Sequence, residues 1–448
     1  MKKLWQKNNS ISNRQVEQFL SSEDLMLDYN LVQWDIYGTL AHILMLKEIG
    51  ILSINEHLKI KKELLKMLVL HNSNKFVLND KDEDVHTKIE TDITIKLGNI
   101  GKKMHTARSR NDQIALDIRL YAKDQLFSIC NQLLEISEVL FGLAKKNESI
   151  PMPGYTHMQK AMPSSVGMWF ASYAESMIDN IQILKSILTV IDQSPLGSGA
   201  SYGVPFPIKR ELTAKILGFK KVQNNSLYTQ HTRGKFEAFV VFGLSQVMYD
   251  VSKFATDLLL FTTSEFNYFS VKDEFTTGSS LMPQKKNVDV AEILRAKFHT
   301  VNSNYFQINS ISSNLPSGYN RDYQETKKPF IESINTTRTS LNIFLLLLKA
   351  IEPNKEVLNN AMSSDLFATH SALNMAKQGV PFRDAYGKVG NNLSRVSQID
   401  FIQVMKDSTH IGAIGNLGIK GNLSRLNQQK KSLKKREHTF YTALEKLK

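Results

Sequence analysis

The sequence predicts a mostly α protein built around long packed helices, and three observations carry that expectation. Glycine and proline are scarce, 22 and 11 copies in 448 residues, so little interrupts a helical run. Two stretches, Gln113 to Ile150 and Lys235 to Leu281, hold no proline. Three segments repeat apolar residues at alternating steps of three and four, the spacing that keeps one stripe of a helix facing a partner.

Taken in chain order, the residues before about 105 form shorter helices, as Leu40, Ile43, Leu44, Leu46 and Ile49 indicate. The first long seam is Leu126, Ile129, Leu133, Ile136, Leu140 and Leu143. The second runs through Phe170, Tyr173, Met177, Ile181, Leu184, Leu188 and Ile191. The third is Val240, Leu244, Val247, Val251, Phe254, Leu258 and Phe261. A helix of about 35 residues is roughly 50 Å long at 1.5 Å per residue. Rods of that length call for a bundle, expected here to be shared between subunits, since a lone chain would leave the seams exposed. The linkers 149–163, 194–207 and 276–283 collect prolines and glycines and are the loops at which rigid rods can converge polar groups. Beyond about 358 the pattern turns short and broken. A small–large–small division follows, 1–105, 106–358 and 359–448.

Composition narrows the function. Hydrophobic content of 42% with 22% charged residues describes a globular chain, not a disordered one. A single cysteine, Cys130, excludes an intrachain disulfide and argues against a cysteine-based zinc site. The start, Met1-Lys2-Lys3-Leu4-Trp5, lacks the apolar core of a signal peptide, and the longest apolar run, Ile343 to Leu348, is too short to span a bilayer. A cytoplasmic setting without membrane contact is expected. The net charge of +13 is dispersed; its dense run, Lys430 to Arg436, reads as a solvated helix face in preference to a nucleic-acid contact.

Five polar segments could carry chemistry. Gly278 to Asn287 is a flexible Gly-Ser-Ser turn followed by Pro283, Lys285, Lys286 and Asn287; a serine there can accept or donate a proton, and Lys285 and Asn287 can hold a carboxylate. Composition alone favours a lysine-rich surface loop. Gly154 to Gln159 offers His157, a proton carrier near neutral pH or a structural histidine. His105 to Gln113 brings Arg108, Ser109, Arg110 and Asn111 to a helix start, a plausible anion site or simply a cap. Asp82 to Thr87 sets acids beside His86 without a metal-ligand spacing. Tyr319 to Lys327 is a dense polar run after Gly318, a capped loop or a recognition surface. No P-loop, dinucleotide fingerprint or nucleophile elbow occurs.

Together these segments resemble the aspartase/fumarase superfamily, and within it the argininosuccinate lyase family. The stretch from Gly278 to Asn287 is similar to the superfamily signature, with Gln284-Lys285-Lys286-Asn287 as that family's ending. Arg108 to Asp112, Gly154 to His157, Asp82 to Thr87, Pro195 to Gly199 and Tyr319 to Lys327 match in order, from near Trp5 to about Gly387. The resemblance implies a three-domain fumarase/aspartase-like fold with a central bundle, and a homotetramer with sites built from three chains. It implies reversible cleavage of argininosuccinate to arginine and fumarate with no metal or organic cofactor. Ser279 and His157 are the implied proton-transfer pair, with Glu292 aiding the histidine; which one is base and which acid stays open. Lys285 and Asn287 would hold the carboxylate of a carbanion intermediate. Thr156, Ser109 and Asn111 would bind the succinyl half. Tyr319, Gln324 and Lys327 would fix the arginine half, and Arg110, His86 and Arg233 complete the expected binding set.

Departures are confined. The usual Asp-Ala-Val-Ser-Asp-Arg-Asp segment stands here as Tyr228 to Gly234, with Arg233 kept and both neighbouring acids lost. Ala107 replaces a common glycine and Val288 a common proline. A sister lyase acting on adenylosuccinate, or a non-catalytic crystallin-like relative, are the rival readings.

Overall fold

The computed structural model describes residues 14–79 and 82–448; the sequence reading at Met1–Trp5 lies outside them. Named in chain order, the helices of nine residues or more are α1 (Arg14–Asp28), α2 (Val32–Glu48), α3 (Ile54–Asn72), α4 (Val85–Leu97), α5 (Arg110–Lys146), α6 (Val166–Ile191), α7 (Lys235–Phe261), α8 (Asp289–Ser312), α9 (Lys327–Leu348), α10 (Ala368–Lys377), α11 (Phe382–Gly390) and α12 (Ile419–Glu445). The strands are short and pair in twos: β1 (Pro151–Thr156) with β2 (Gln159–Ser165), β3 (Gln193–Ser194) with β4 (Lys221–Val222), β5 (Phe269–Val271) with β8 (Ile351–Pro353), and β6 (Thr277–Gly278) with β7 (Lys286–Asn287). The chain is a helical bundle, as its apolar spacing predicts.

Helices α5 to α9 form the centre, α5 packing on α6 and α9, and α7 on α6, α8 and α9. The helix α5 begins where Ser109 and Asp112 form a reciprocal capping box, and its 37 residues match the long rod expected. The 27-residue α7 stops at Phe261, well short of the proline-free limit at Leu281, because the following chain turns to pair β5 with β8. Apart from the half-buried Leu143, every seam residue named above is buried inside this single chain. The seams are therefore intrachain core, contrary to the expectation that a lone chain would expose them. What the bundle does leave outside is a second set of apolar residues: Phe242 and Tyr249 on α7, Ile293 and Phe306 on α8, and Ile343 and Leu346 on α9.

The expectation of short, broken structure after 358 fails at α12. This 27-residue helix buries Leu426, Leu433, Phe440 and Leu444 in the main core. One apolar residue about every two turns is too sparse to register as a seam in the sequence. The basic run Lys430 to Arg436 lies on this helix, where Lys430 pairs with Glu138 and Arg436 donates to the Lys185 carbonyl and Thr189. Met362, Leu366, Phe367, Val404 and Ile414 form a separate small core.

By length and mean hydropathy alone α5 could cross a bilayer, which the search for an apolar run did not foresee. More than half of its most apolar stretch is buried inside the chain. Nearer its N-terminal end Asp112, Asp117, Arg119 and Lys123 are buried among protein groups. The carboxylate of Asp112 accepts the N–H groups of Gly197 and Gly199, each at 2.9 Å. Arg119 donates to the Gln193 carbonyl at 2.7 Å, and Lys123 bonds Asp192 and the Gly218 carbonyl.

Candidate active site

The loop from Ser279 to Lys285 is closed by the two-residue ladder Thr277↔Asn287 and Gly278↔Lys286, then tied to the start of α8 by the Thr277 hydroxyl on Asp289. Ser279 Oγ accepts the backbone N–H groups of Leu281 at 3.2 Å and Met282 at 3.0 Å. Two amide dipoles thus point at the oxygen, an arrangement that favours its alkoxide. Lys285 is exposed, Asn287 half-buried, and Glu292 exposed on the first turn of α8. Lys286 is engaged with Asp273 at 2.7 Å.

His157 stands at the tip of the β1–β2 hairpin. Thr156 pairs with Gln159, so His157 and Met158 are a two-residue turn with φ of +53° and +62°, the left-handed geometry such hairpins require. Both side chains are exposed, as is Thr156. The proline-rich linker of the sequence is therefore a strand pair, pinned by Tyr155 on Tyr268 and by Lys160 on the Ala361 carbonyl.

A third group gathers at the start of α5. Ser109 is the cap, its oxygen accepting the Asn111 N–H at 3.2 Å. Arg110 faces Asp84 at 3.3 Å and Glu83 at 3.4 Å. Ala107 holds φ at +58°, the conformation that explains a glycine there in the resembling family. The bonds from Asp112 to Gly197 and Gly199 anchor the glycine-rich loop, and Ser201 of that loop accepts the Tyr319 N–H at 3.0 Å. Arg233 lies 5.9 Å from the Tyr319 ring and 5.8 Å from the Tyr323 ring. Gln324 donates to the Leu20 carbonyl. Ser201 was not singled out in the sequence; its φ of +93° follows from its place between two glycine turns.

Two expected binding residues are buried and already partnered. The ammonium of Lys327 lies 2.6 Å from both Asp24 and Asp28; burial works against its charge, but the two carboxylates win and lift its pKa to about 12. His86 Nδ1 lies 3.3 Å from Asp35 and 3.6 Å from Asp117. Burial disfavours its charge as well, yet Asp35, Asp84 and Asp117 raise it to about 9. The ligand atoms of Asp35, His86 and Asp117 approach one another closely enough to hold an ion. Burial and the neighbouring Asp35 push the Asp117 carboxyl well up, against the pull of His86 and Arg108. The signal for this cluster was Asp35 itself, a lone acid within the apolar Val32 to Met45 run.

These groups do not meet in one chain. Ser109 opens α5 and the hairpin follows its end, so 37 residues of helix separate Ser109 from His157, about 55 Å at 1.5 Å per residue. The helix α8 likewise runs from the Ser279 loop to Ser312, which abuts Gly234 beside Arg233, about 35 Å for its 24 residues. One end of the bundle carries the serine loop and the histidine hairpin; the other carries the Ser109, Arg233 and Tyr319 groups.

A long-helix bundle with polar loops divided between its two ends is the build of a fumarase- and aspartase-type lyase. The Lyase family matches residues 20–302. An argininosuccinate lyase of Thermotoga neapolitana is 40% identical over 393 residues, 88% of this chain and 98% of the relative; that of Bacteroides thetaiotaomicron is 38% identical over 95% of each. Among solved structures, EDDS lyase in complex with formate superposes with a TM-score of 0.80 at 20% identity, covering 98% of this chain and 95% of that one. A class II fumarase from Schistosoma mansoni gives 0.69 at 14% identity, over 82% and 90%. The chain belongs to this lyase family, and within it to the argininosuccinate lyases.

Proposed function

We propose that this enzyme catalyses the reversible elimination of argininosuccinate to L-arginine and fumarate. The observation that carries the proposal is Ser279 Oγ, held by two backbone N–H groups on an exposed loop beside Lys285 and Asn287. A free serine is a poor base; amide donors and a neighbouring ammonium stabilise its alkoxide. Ser279 removes the weakly acidic proton next to a succinyl carboxylate, and Lys285 and Asn287 hold the doubly negative aci-carboxylate that forms. The C–N electron pair leaves with the guanidinium nitrogen, which His157, supported by Glu292, protonates directly or through water. Ser109, Arg110, Asn111 and Thr156 take the succinyl half, and Tyr319 and Gln324 the arginine half, with Arg233 buried behind the Tyr319 ring. Lys327 and His86 serve these contacts by fixing α1, α4 and α5, since their charges are already paired. The reverse assignment, with the histidine as base, remains a variant of the same proposal.

The working unit is proposed to be a cytoplasmic homotetramer with sites shared between subunits. Its support is the separation of the half-sites within one chain, and the exposed apolar stripe on α7, α8 and α9. The division at about 105 and 358 is kept, with α12 folding back on the centre. Incubation with argininosuccinate and, separately, adenylosuccinate, followed by fumarate absorbance, tests the substrate; turnover of adenylosuccinate alone would sink the proposal. Ser279→Ala is expected to lower turnover by about 10³-fold or more with the assembly intact, and near-normal turnover would remove the serine from proton transfer.

A further inference from the structure

The segment Tyr228 to Gly234 keeps its arginine but has lost both flanking acids. Neither flank has room for one. Gly234 adopts φ of +76°, and a Cβ there would lie 2.5 Å from the Ser312 Cβ, so any side chain is excluded twice over. Thr232 is fully buried, its hydroxyl donating to the Thr229 carbonyl at 2.7 Å and accepting from Gln223 at 3.1 Å. A carboxylate at 232 would break both bonds and have nowhere to hydrate.

The charge is answered one helical turn later. Glu237 lies in the first turn of α7, four residues beyond Arg233, with Oε1 at 4.0 Å from Arg233 Nε; each residue is only 4% exposed. The spacing of four is the one that brings side chains onto the same helix face. A second buried guanidinium, Arg119, stacks on Phe236 at 4.5 Å and feels the same carboxylate. Burial pushes the Glu237 carboxyl up, while Arg233 and Arg119 hold it down. Glu237 is the acid whose charge acts on both guanidinium groups among the described residues.

We propose that Glu237 is a positioning residue for the arginine half of the substrate: its carboxylate is the buried counter-charge of Arg233, an ion pair at 4.0 Å without a hydrogen bond, and Arg233 lies against the Tyr319 and Tyr323 rings. The inference rests on the functional proposal above for its substrate. It adds a buried counter-charge one helical turn beyond Arg233. The polar segment from Tyr319 onward then has a rigid floor although Tyr319 itself is partly exposed. The proton-transfer groups sit at the other end of the bundle, so loosening this floor should weaken binding of one product and spare the chemistry.

The test is Glu237→Gln, which keeps the volume and removes the charge, measured in both directions in the full enzyme. In the reverse reaction the KM for L-arginine should rise about tenfold while the KM for fumarate and kcat stay within about twofold. Glu237→Asp, which retains the charge but draws it back by one methylene, should raise the arginine KM by only about threefold. A merely structural glutamate would move both KM values or kcat together, and that result overturns the proposal, as does an unchanged arginine KM. Should Glu237→Gln fail to fold, Glu237→Asp alone decides: a rise in arginine KM of about threefold at constant kcat supports the proposal, and no rise overturns it. If the unmodified enzyme fails to form argininosuccinate at all, the functional proposal has failed; if it does and the split is absent, only the role of Glu237 has.

Discussion

Replacing Lys327 with methionine should destabilise the protein by about 3 kcal/mol. The side chain is 5% exposed and its ammonium touches Asp24 and Asp28, whose side chains are 16% and 1% exposed. Asp28 also accepts the Val85 N–H at 3.0 Å, so one carboxylate joins α1, α4 and α9. Methionine fills much the same volume, which isolates the charge. Two facing carboxylates would then remain without their cation, and removing one partner of a buried pair costs about 3–5 kcal/mol. Asp24 can hydrate in part, which places the expectation at the lower end. Linkage gives a similar scale: the Lys327 pKa rises from 10.5 to about 12, equivalent to about 2 kcal/mol at 1.36 kcal/mol per unit. Because this folded pKa is raised, the contribution is complete below 10.5 and is lost as pH climbs through about 12. Urea unfolding followed by circular dichroism near neutral pH measures the loss. Repeating it at about pH 5 should narrow the gap, since protonating the stranded carboxylates relieves the variant. A loss below about 1 kcal/mol, accompanied by a raised KM, would refute the reasoning and return Lys327 to direct substrate contact.

Two further outcomes follow from the same geometry. His86, raised to about 9 by its acidic neighbours, should add about 3 kcal/mol of stability that is complete below its ordinary 6.5 and declines as pH rises through 9; in His86→Asn the unfolding free energy should lose that decline, and an unchanged profile would show that the imidazole is neutral. His157→Asn should keep its melting temperature, because the exposed turn position suits asparagine in the left-handed region, while kcat falls by about 10²–10⁴-fold; a parallel loss of stability would reassign His157 to structure.

The bundle was legible because its seams are dense. Six or seven large apolar residues at three- and four-residue steps admit little but a buried helix face, and all but Leu143 proved buried. Their partner was not legible: periodicity says that a stripe is covered, never by which chain, and here the same chain covers it. The α12 helix escaped because a polar, lysine-rich sequence with Leu426, Leu433 and Phe440 seven residues apart resembles a surface segment until its contacts are known. The hairpin escaped because its strands hold three prolines, tolerated in a ladder of two strands where each has a free edge. The candidate site was visible as residue types in order along the chain. Its bonding was not, and so Lys327 and His86 were read as open to substrate. Acids that pair with them, Asp28 and Asp35, lie some 300 and 50 residues away and carry no local mark.

The buried charges of α5 give the bundle a fixed register. A helix that offers only leucine and isoleucine to its neighbours can slip by one turn, about 5.4 Å, and still bury the same surface. Here such a slip would part Asp112 from the Gly197 and Gly199 amides, Asp117 from His86, Arg119 from the Gln193 carbonyl and Lys123 from Asp192 in one movement. Polar keys of this kind trade stability for uniqueness. They act over only twelve residues at one end of a 37-residue rod, yet they set where its far end, and the hairpin histidine beyond it, must stand.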